Sequence, residues 1–455
     1  MSTPIATRHC ADHLVTMAPD GQIHSPGIVD VVDGVVVWSG PAGEAPPWTG
    51  IDEQIHHVRG ALTPGFVNVH AHTPMVLLRG SGEGLPTDVW LTEVMWPREA
   101  RLTADDVQQA MTLGAAEMLL GGITATSEMY FYGNAIAEGA VTAGLRCIVA
   151  APLIEAEALA RFGTVDDQIE SIRGLRSAWA GHPLIEIAIG PHSAYALSRE
   201  SLVAVRDLIA DDPMLVHIHV AEQRSEGDGV LAATGLTVPA YLDDIGLLGA
   251  RCLAAHCVWM TDEDIALFAA HGVGVGHCPV SNGRHASGIA RVVDMREAGI
   301  AVGLGTDGPA SHDRLDPFEE MRTAVRYARI ATSDASQLDA TQVFTMATCE
   351  AADALGRPDL GRLTPGSRAD MIEISLDGPG SPPFSDPDPT AAELLGRIVW
   401  GSSPSRVAAV WVQGTQVVAN GRHLTVDLDA LALDVAGRAR RISAAQGGQG
   451  VEVRV

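Results

Sequence analysis

The chain has 455 residues, 46% of them hydrophobic, enough to bury a large core, which excludes a short peptide, a coiled coil and a disordered tail. Its 30 basic residues stand against 56 acidic ones for a formal net charge of -26, so its surface repels nucleic acid and anionic membranes. All 30 are arginine, and a chain without lysine offers neither Schiff-base chemistry nor a carboxylated-lysine metal bridge.

The N-terminal stretch MSTPIATRHCADH lacks the basic start and apolar run of a signal peptide, and no segment reaches the roughly 18 apolar residues of a membrane span. Six cysteines (Cys10, Cys147, Cys252, Cys257, Cys278, Cys349) are scattered without C-x-x-C spacing. A soluble, unprocessed protein of the reducing cytoplasm is expected. Residues 1–62 alternate in β fashion around Gly-centred turns, as in IVDVVDGVVVWSG.

From Phe66 to about Ala310 short apolar runs alternate with helix-patterned segments, the βαβ signature of a parallel sheet with crossover helices. Eight runs follow one another: FVNVHAH (66–72), ITATSEM (123–129), CIVAAPL (147–153), IEIAIGPH (185–192), MLVHIHV (214–220), CLAAHCV (252–258), VGVGHCP (273–279) and AVGLGTD (301–307). Eight strand–helix repeats over this length predict an α/β protein built on a closed (β/α)8 TIM barrel across residues 63–363. Residues 364–427 return to β alternation (RVAAVWVQGTQVVANG), so a small β-sandwich made from both chain ends, 1–62 plus 364–427, is expected. The polar stretch DGPGSPPFSDPDPT (377–390) reads as a surface loop, and LDALALDVAGRARRISAAQ (428–446) as a helix that opens a C-terminal segment, helix and tail, over 428–455.

Most barrel runs end on a polar or ionisable residue: His70 and His72, Glu128, His192, His219, His256, His277 and Asp307. Barrel active sites lie at the C-terminal ends of the strands, so these side chains are expected to converge on one mouth. Alternate residues of a strand share a face, which lets His70 and His72 grip one ion. His219 supplies a third imidazole, Asp307 a hard oxygen that completes the set, and Glu222, three residues past His219, a carboxylate able to shuttle protons. His256 ends the sixth run at the same rim. His217, on the face of His219 but one layer deeper, reads as packing or as support for a ligand. Each residue alone has a bland alternative: a core histidine, a solvated loop acid, a helix-capping aspartate. Their joint placement on strands one, five and eight favours a metal site.

These motifs carry a resemblance. PGFVNVHAHTPMVLLRG (64–80), WLTEVMWPRE (90–99), GPHSAY (190–195), HVAEQ (219–223), AAHCV (254–258), HCPVSN (277–282), GTDGPAS (305–311) and GRLTPGSRADM (361–371) together resemble the amidohydrolase superfamily, in particular its S-adenosylhomocysteine/methylthioadenosine deaminase branch, over essentially the whole chain. The resemblance implies a sandwich built from both termini and one divalent ion on His70, His72, His219 and Asp307, zinc first, with iron or manganese accepted by the same donors. It implies hydrolytic deamination of an amino-substituted N-heterocycle, most like adenosine, methylthioadenosine or S-adenosylhomocysteine, with Glu222, His256 and Asp307 as catalytic groups. His192 and Ser311 are then expected to touch the heterocycle, and Trp90 and Glu99 to line the ribose end. The aromatic run Tyr130-Phe131-Tyr132 offers a hydrophobic or stacking pocket wall.

The chain departs from the branch in places. The branch holds its homocysteine carboxylate with arginines after the third strand, where Ala151 stands here and Arg161 is the candidate replacement. His312 stands where asparagine is common, and Arg284-His285 breaks an apolar-basic pattern. Competing readings keep the metal and change the substrate: guanine-type deamination, triazine hydrolysis, or a formimidoylglutamate deiminase-like reaction on the likeness of HIHVAEQ. A silent scaffold is the reading from another class, against which all proposed ligands and the acid are present. The partner is a small molecule, neither nucleic acid nor membrane, and a homo-oligomer stays open.

Overall fold

The computed structural model describes residues 6–50, 54–248, 251–378 and 389–444. Eight parallel strands follow the eight apolar runs: β1 (Phe66–Ala71), β2 (Ile123–Glu128), β3 (Arg146–Leu153), β4 (Ile185–Pro191), β5 (Val216–Val220), β6 (Cys252–His256), β7 (Gly274–His277) and β8 (Val302–Leu304). They pair in sequence order, and a parallel bridge between Ala71 and Asp307 joins the last strand to the first. Asp307 N–H donates to His70 O at 3.0 Å, and Asn68 and Thr306 exchange hydrogen bonds of 2.8 and 3.0 Å across the seam. The ring therefore closes beside the first histidine pair. Gly305 permits this approach, because a Cβ there would stand 2.9 Å from that of His70.

The strands are buried on both faces, since side chains fill the interior while helices cover the outside, and this explains their nearly unbroken apolar runs. Val67, Val69, Ile148, Ala150, Leu215 and Leu253 pack the lower barrel with Ala351 and Leu355 of the segment that plugs its base. The helices begin where the sequence provides caps. Thr103 and Asp106 form a reciprocal capping box for the helix Ala104–Leu120, which buries Val107, Met111, Ala115, Met118 and Leu119.

Both chain ends contribute to a second sheet. Nine strands join in one ladder: Ala6–Val15, Ile23–His24, Gly27–Val32, Val35–Pro41 and Ile55–Pro64 from the front, Met371–Ile374, Val407–Val412, Thr415–Ala419 and Arg422–His423 from the back. Most pairs are antiparallel, and Met371 stands opposite Pro64 where the two ends meet. Leu14, Val31, Val58, Leu62, Met371 and Trp411 form its core. Arg146 at the foot of β3 holds Asp370 through two contacts, 2.7 and 3.0 Å, both side chains buried, and so ties the barrel to this sheet.

The rear flank also carries a helix, Ala391–Gly401, within the region whose alternation predicts only strands. Its side chains Leu394, Leu395, Ile398 and Val399 are buried, and Thr390 and Glu393 form its capping box. Residues 379–388 of the predicted surface loop and 445–455 of the C-terminal segment lie outside the described residues. The helix Leu428–Ala444 docks Val435 and Ile442 inward, while Arg438 and Arg441 reach Asp106. All six cysteines are free thiols. Among the described residues no helix is long and apolar enough to cross a membrane.

Candidate active site

His70 and His72 rise from the end of β1 with their rings 4.7 Å apart. Each imidazole of the cluster is anchored through Nδ1. His70 Nδ1 meets His217 Nε2 at 2.7 Å, His72 Nδ1 meets Met129 O at 2.6 Å, and His219 Nδ1 meets His192 O at 2.8 Å. His217 is held in turn by Ser127 Oγ at 2.9 Å. With Nδ1 engaged, the Nε2 atoms converge: those of His72 and His219 lie 3.3 Å apart, and Asp307 Oδ1 lies 3.4 Å from His70 Nε2 and 3.3 Å from His72 Nε2.

This arrangement fits a divalent cation. His70, His72 and His219 form one group of donor atoms within 4.8 Å of one another, and His70, His256 and Asp307 a second. His70 Nε2 is fully buried without a hydrogen-bond partner, a cost that a metal ligand avoids. Burial pulls His70 down to about 3 and His219 well below the ordinary imidazole range, so both present neutral, ligating nitrogen.

Asp307 is held in place by two hydroxyls: Ser281 Oγ donates to its Oδ2 at 2.5 Å and Ser311 Oγ at 2.7 Å. Burial acts to raise its pKa, but the surrounding His70, His72 and His256 outweigh it and hold the carboxyl well below the usual range. His256 Nδ1 pairs with Asn282 Oδ1 at 2.9 Å, while its Nε2 lies 3.9 Å from Glu222 Oε2. Burial pulls His256 down, yet the carboxylates of Glu222 and Asp307 more than offset this and its pKa is raised. Ala221, His256 and Asp307 all adopt positive φ (50°, 70° and 56°), so the chain accepts local strain where three strand ends aim side chains at the site.

Above the cluster opens a cleft of about 720 Å³, mouth included. Its walls include Glu222, His256, Asp307 and all four residues expected at the substrate: Trp90, Glu99, His192 and Ser311. Trp90 donates Nε1–H to Ser81 O at 3.0 Å and packs against His285, with ring centroids 4.8 Å apart. Glu99 is buried, which pushes its carboxyl up to about 7 against the opposing pull of Tyr130. Burial lowers His192 to about 3. Ser311 both lines the cleft and spends its hydroxyl proton on Asp307.

Some expected rim residues stay away. Glu128 turns aside to Thr73, accepting from its N–H at 2.7 Å and its hydroxyl at 2.5 Å, and neither Glu128 nor His277 lines the cleft. Arg161, the candidate tail-binding cation, points out to Ala100 O and Tyr132 Oη. Buried His312 faces Glu320 at 2.8 Å instead of the cleft. Ser281, Asn282 and Ser127 act on the site without having been singled out from the sequence. The first two sit in the quoted HCPVSN motif, but only folding shows that their side chains reach Asp307 and His256.

The fold and the cluster define a class, and the chain belongs to it: residues 61–417 match the Amidohydrolase family. It is 34% identical over 429 residues to a 5-methylthioadenosine/S-adenosylhomocysteine deaminase of Pelotomaculum thermopropionicum, covering 94% of this chain and 96% of that one. A 5'-deoxyadenosine deaminase of Methanothermobacter thermautotrophicus is 38% identical over 331 residues, 72% of this chain and 76% of the other. Among solved structures, an adenosine deaminase from Xanthomonas campestris with bound zinc superposes with a TM-score of 0.90 at 32% identity, covering 96% of this chain and 98% of that one.

Proposed function

We propose that this chain is a metal-dependent hydrolytic deaminase of adenosine-type nucleosides, replacing the exocyclic amino group by oxygen and releasing ammonia. The observation that carries the reading is the convergence of three Nε2 atoms and one carboxylate oxygen beside Glu222 and His256, at the floor of a cleft. His70, His72, His219 and Asp307 would hold a single divalent cation, and the zinc bound in the similar adenosine deaminase together with the N/O donor set favours zinc over iron or manganese. When bound, such an ion supplies Lewis acidity that brings the pKa of water toward neutrality.

The remaining work falls to the chain. Asp307 and His256 orient the attacking water and take its proton, since Asp307 remains ionised and His256 stands between it and Glu222. Glu222 delivers a proton to the ring nitrogen next to the amino-bearing carbon, which becomes tetrahedral as the C–O bond forms. Proton transfer to the amino group then lets the C–N bond break, and ammonia leaves while the ring carbon retains oxygen. His192 and Ser311 position the heterocycle, while Trp90 and Glu99 line the ribose end, where Glu99 accepts from the sugar hydroxyls. The first 62 residues with 364–427 serve as a scaffold domain to the barrel of 63–363, and the enzyme works on a small molecule in the cytoplasm, as a monomer or a homo-oligomer.

Ammonia release from adenosine, methylthioadenosine, 5'-deoxyadenosine, S-adenosylhomocysteine, guanine, an aminotriazine and formimidoylglutamate tests the reading. Release from the adenosine compounds supports it. Release only from one of the other three moves the assignment to that substrate.

A further inference from the structure

Resting on the deaminase reading, the cleft carries a second message about the far end of the substrate. Its floor, at the metal donors, must receive the amino-bearing ring, and Glu99 receives the sugar. The lining around Glu99 is largely apolar. Trp96 lies one helical turn before it, and Phe131 follows Tyr130, which faces Glu99. Pro152, Ile154 and Leu91 add further apolar surface to the cleft lining.

Among the described residues no arginine lines the cleft, and the chain has no lysine. Glu99, Glu222 and Asp307 do line it, so the walls contribute carboxyl groups and no guanidinium. Arg161 is separated from the space by two rings. Phe131 faces the cleft, Phe162 stacks flat behind it at 4.4 Å with 9° between the planes, and the Arg161 guanidinium lies over Phe162 at 5.5 Å. Arg161 is committed there to Ala100 O at 2.5 Å and Tyr132 Oη at 2.8 Å. Arg284, next to the lining residue His285, has both arms engaged, by Asp313 at 2.6 Å and Glu83 at 2.5 Å.

We infer that the sugar-distal end of this cleft accepts a 5' substituent that is uncharged and apolar, and excludes a zwitterionic amino-acid tail. A carboxylate carried into the apolar end would lose its hydration and meet no guanidinium among the lining residues. A thioether or alkyl group would instead be covered by Trp96, Phe131 and Ile154, with favourable contact between sulfur and the rings. The specificity rests on where the arginines are held, and Phe131 with Phe162 forms the barrier.

Charge and length are separated by three substrates of the zinc-loaded enzyme: methylthioadenosine, 5'-butylthio-5'-deoxyadenosine and S-adenosylhomocysteine. The expected kcat/KM for the butylthio compound is within about 10-fold of that for methylthioadenosine, and that for S-adenosylhomocysteine lower by about 100-fold or more. S-adenosylhomocysteine turned over as well as methylthioadenosine would overturn the inference while leaving the deaminase reading intact. Equal rejection of the two long tails would also overturn it, since length alone would then decide. If none of the three were deaminated while adenosine was, this inference would fall and the deaminase reading would stand; if adenosine too were left untouched, both would fall.

Discussion

An imidazole holds an ion well only when its other nitrogen is committed elsewhere, because that commitment fixes both the tautomer and the ring plane. His217 performs this service for His70, and is itself held by Ser127. Replacing His217 by Phe removes the acceptor while keeping the bulk, and zinc affinity, measured by competition with a chelator, is expected to fall about 10- to 100-fold. Unchanged affinity would make His217 a packing residue. Glu222 acts on protons instead of on the ion. In Glu222→Gln bound zinc is expected to stay at the wild-type level while kcat drops by at least about 100-fold, and near-normal turnover would remove Glu222 from the mechanism. The sequence reveals His70 and His72 because a strand's period of two gives H-x-H a meaning, and His219 and Asp307 because they end apolar runs. Ser127 lies hidden inside such a run, where a hydroxyl reads as packing, and the reach of Ser281 to Asp307 depends on how the short helix Pro279–Arg284 packs beside the end of β8, which no spacing encodes.

At the scale of elements, Asp106 does two jobs: it closes the capping box of helix Ala104–Leu120 and receives Arg438 and Arg441 from helix Leu428–Ala444. Burial acts to raise its pKa, but Arg441, Thr103 and Arg438 prevail and hold it down at about 2. Because the folded-state value is depressed below the ordinary 3.8, its contribution is present above that value and disappears as pH falls through about 2. Asp106→Asn is expected to cost about 2 kcal/mol at neutral pH, by loss of charge-assisted hydrogen bonds. In denaturant titrations the gap from wild type should narrow as pH falls from about 4 toward 2. A gap constant over that range would contradict the assigned role. All eight barrel strands are legible because burial on both faces leaves nearly pure apolar runs. Helix Ala391–Gly401 is harder to read: its neighbours alternate as strands, and the signal that marks it is the short T-x-x-E of Thr390 and Glu393 before an amphipathic run.

Over the whole molecule, the barrel brings together groups from β1, β5, β6 and β8 that lie up to 237 residues apart in sequence, from His70 to Asp307. The sharing of one sheet by both chain ends is visible in their alternation, whereas its order, its register and the Arg146–Asp370 tie are set by contacts that only the folded chain makes. Closure of the ring at Ala71 and Asp307 turns a set of strand ends into one site. The central claim is that this closed ring presents a single productive metal position. Adding zinc stepwise to the metal-stripped protein while following ammonia release from methylthioadenosine tests it directly. The account predicts activity that rises in proportion to zinc and stops at one equivalent per chain. Full activity before any zinc is added, or none at any ratio, would contradict it.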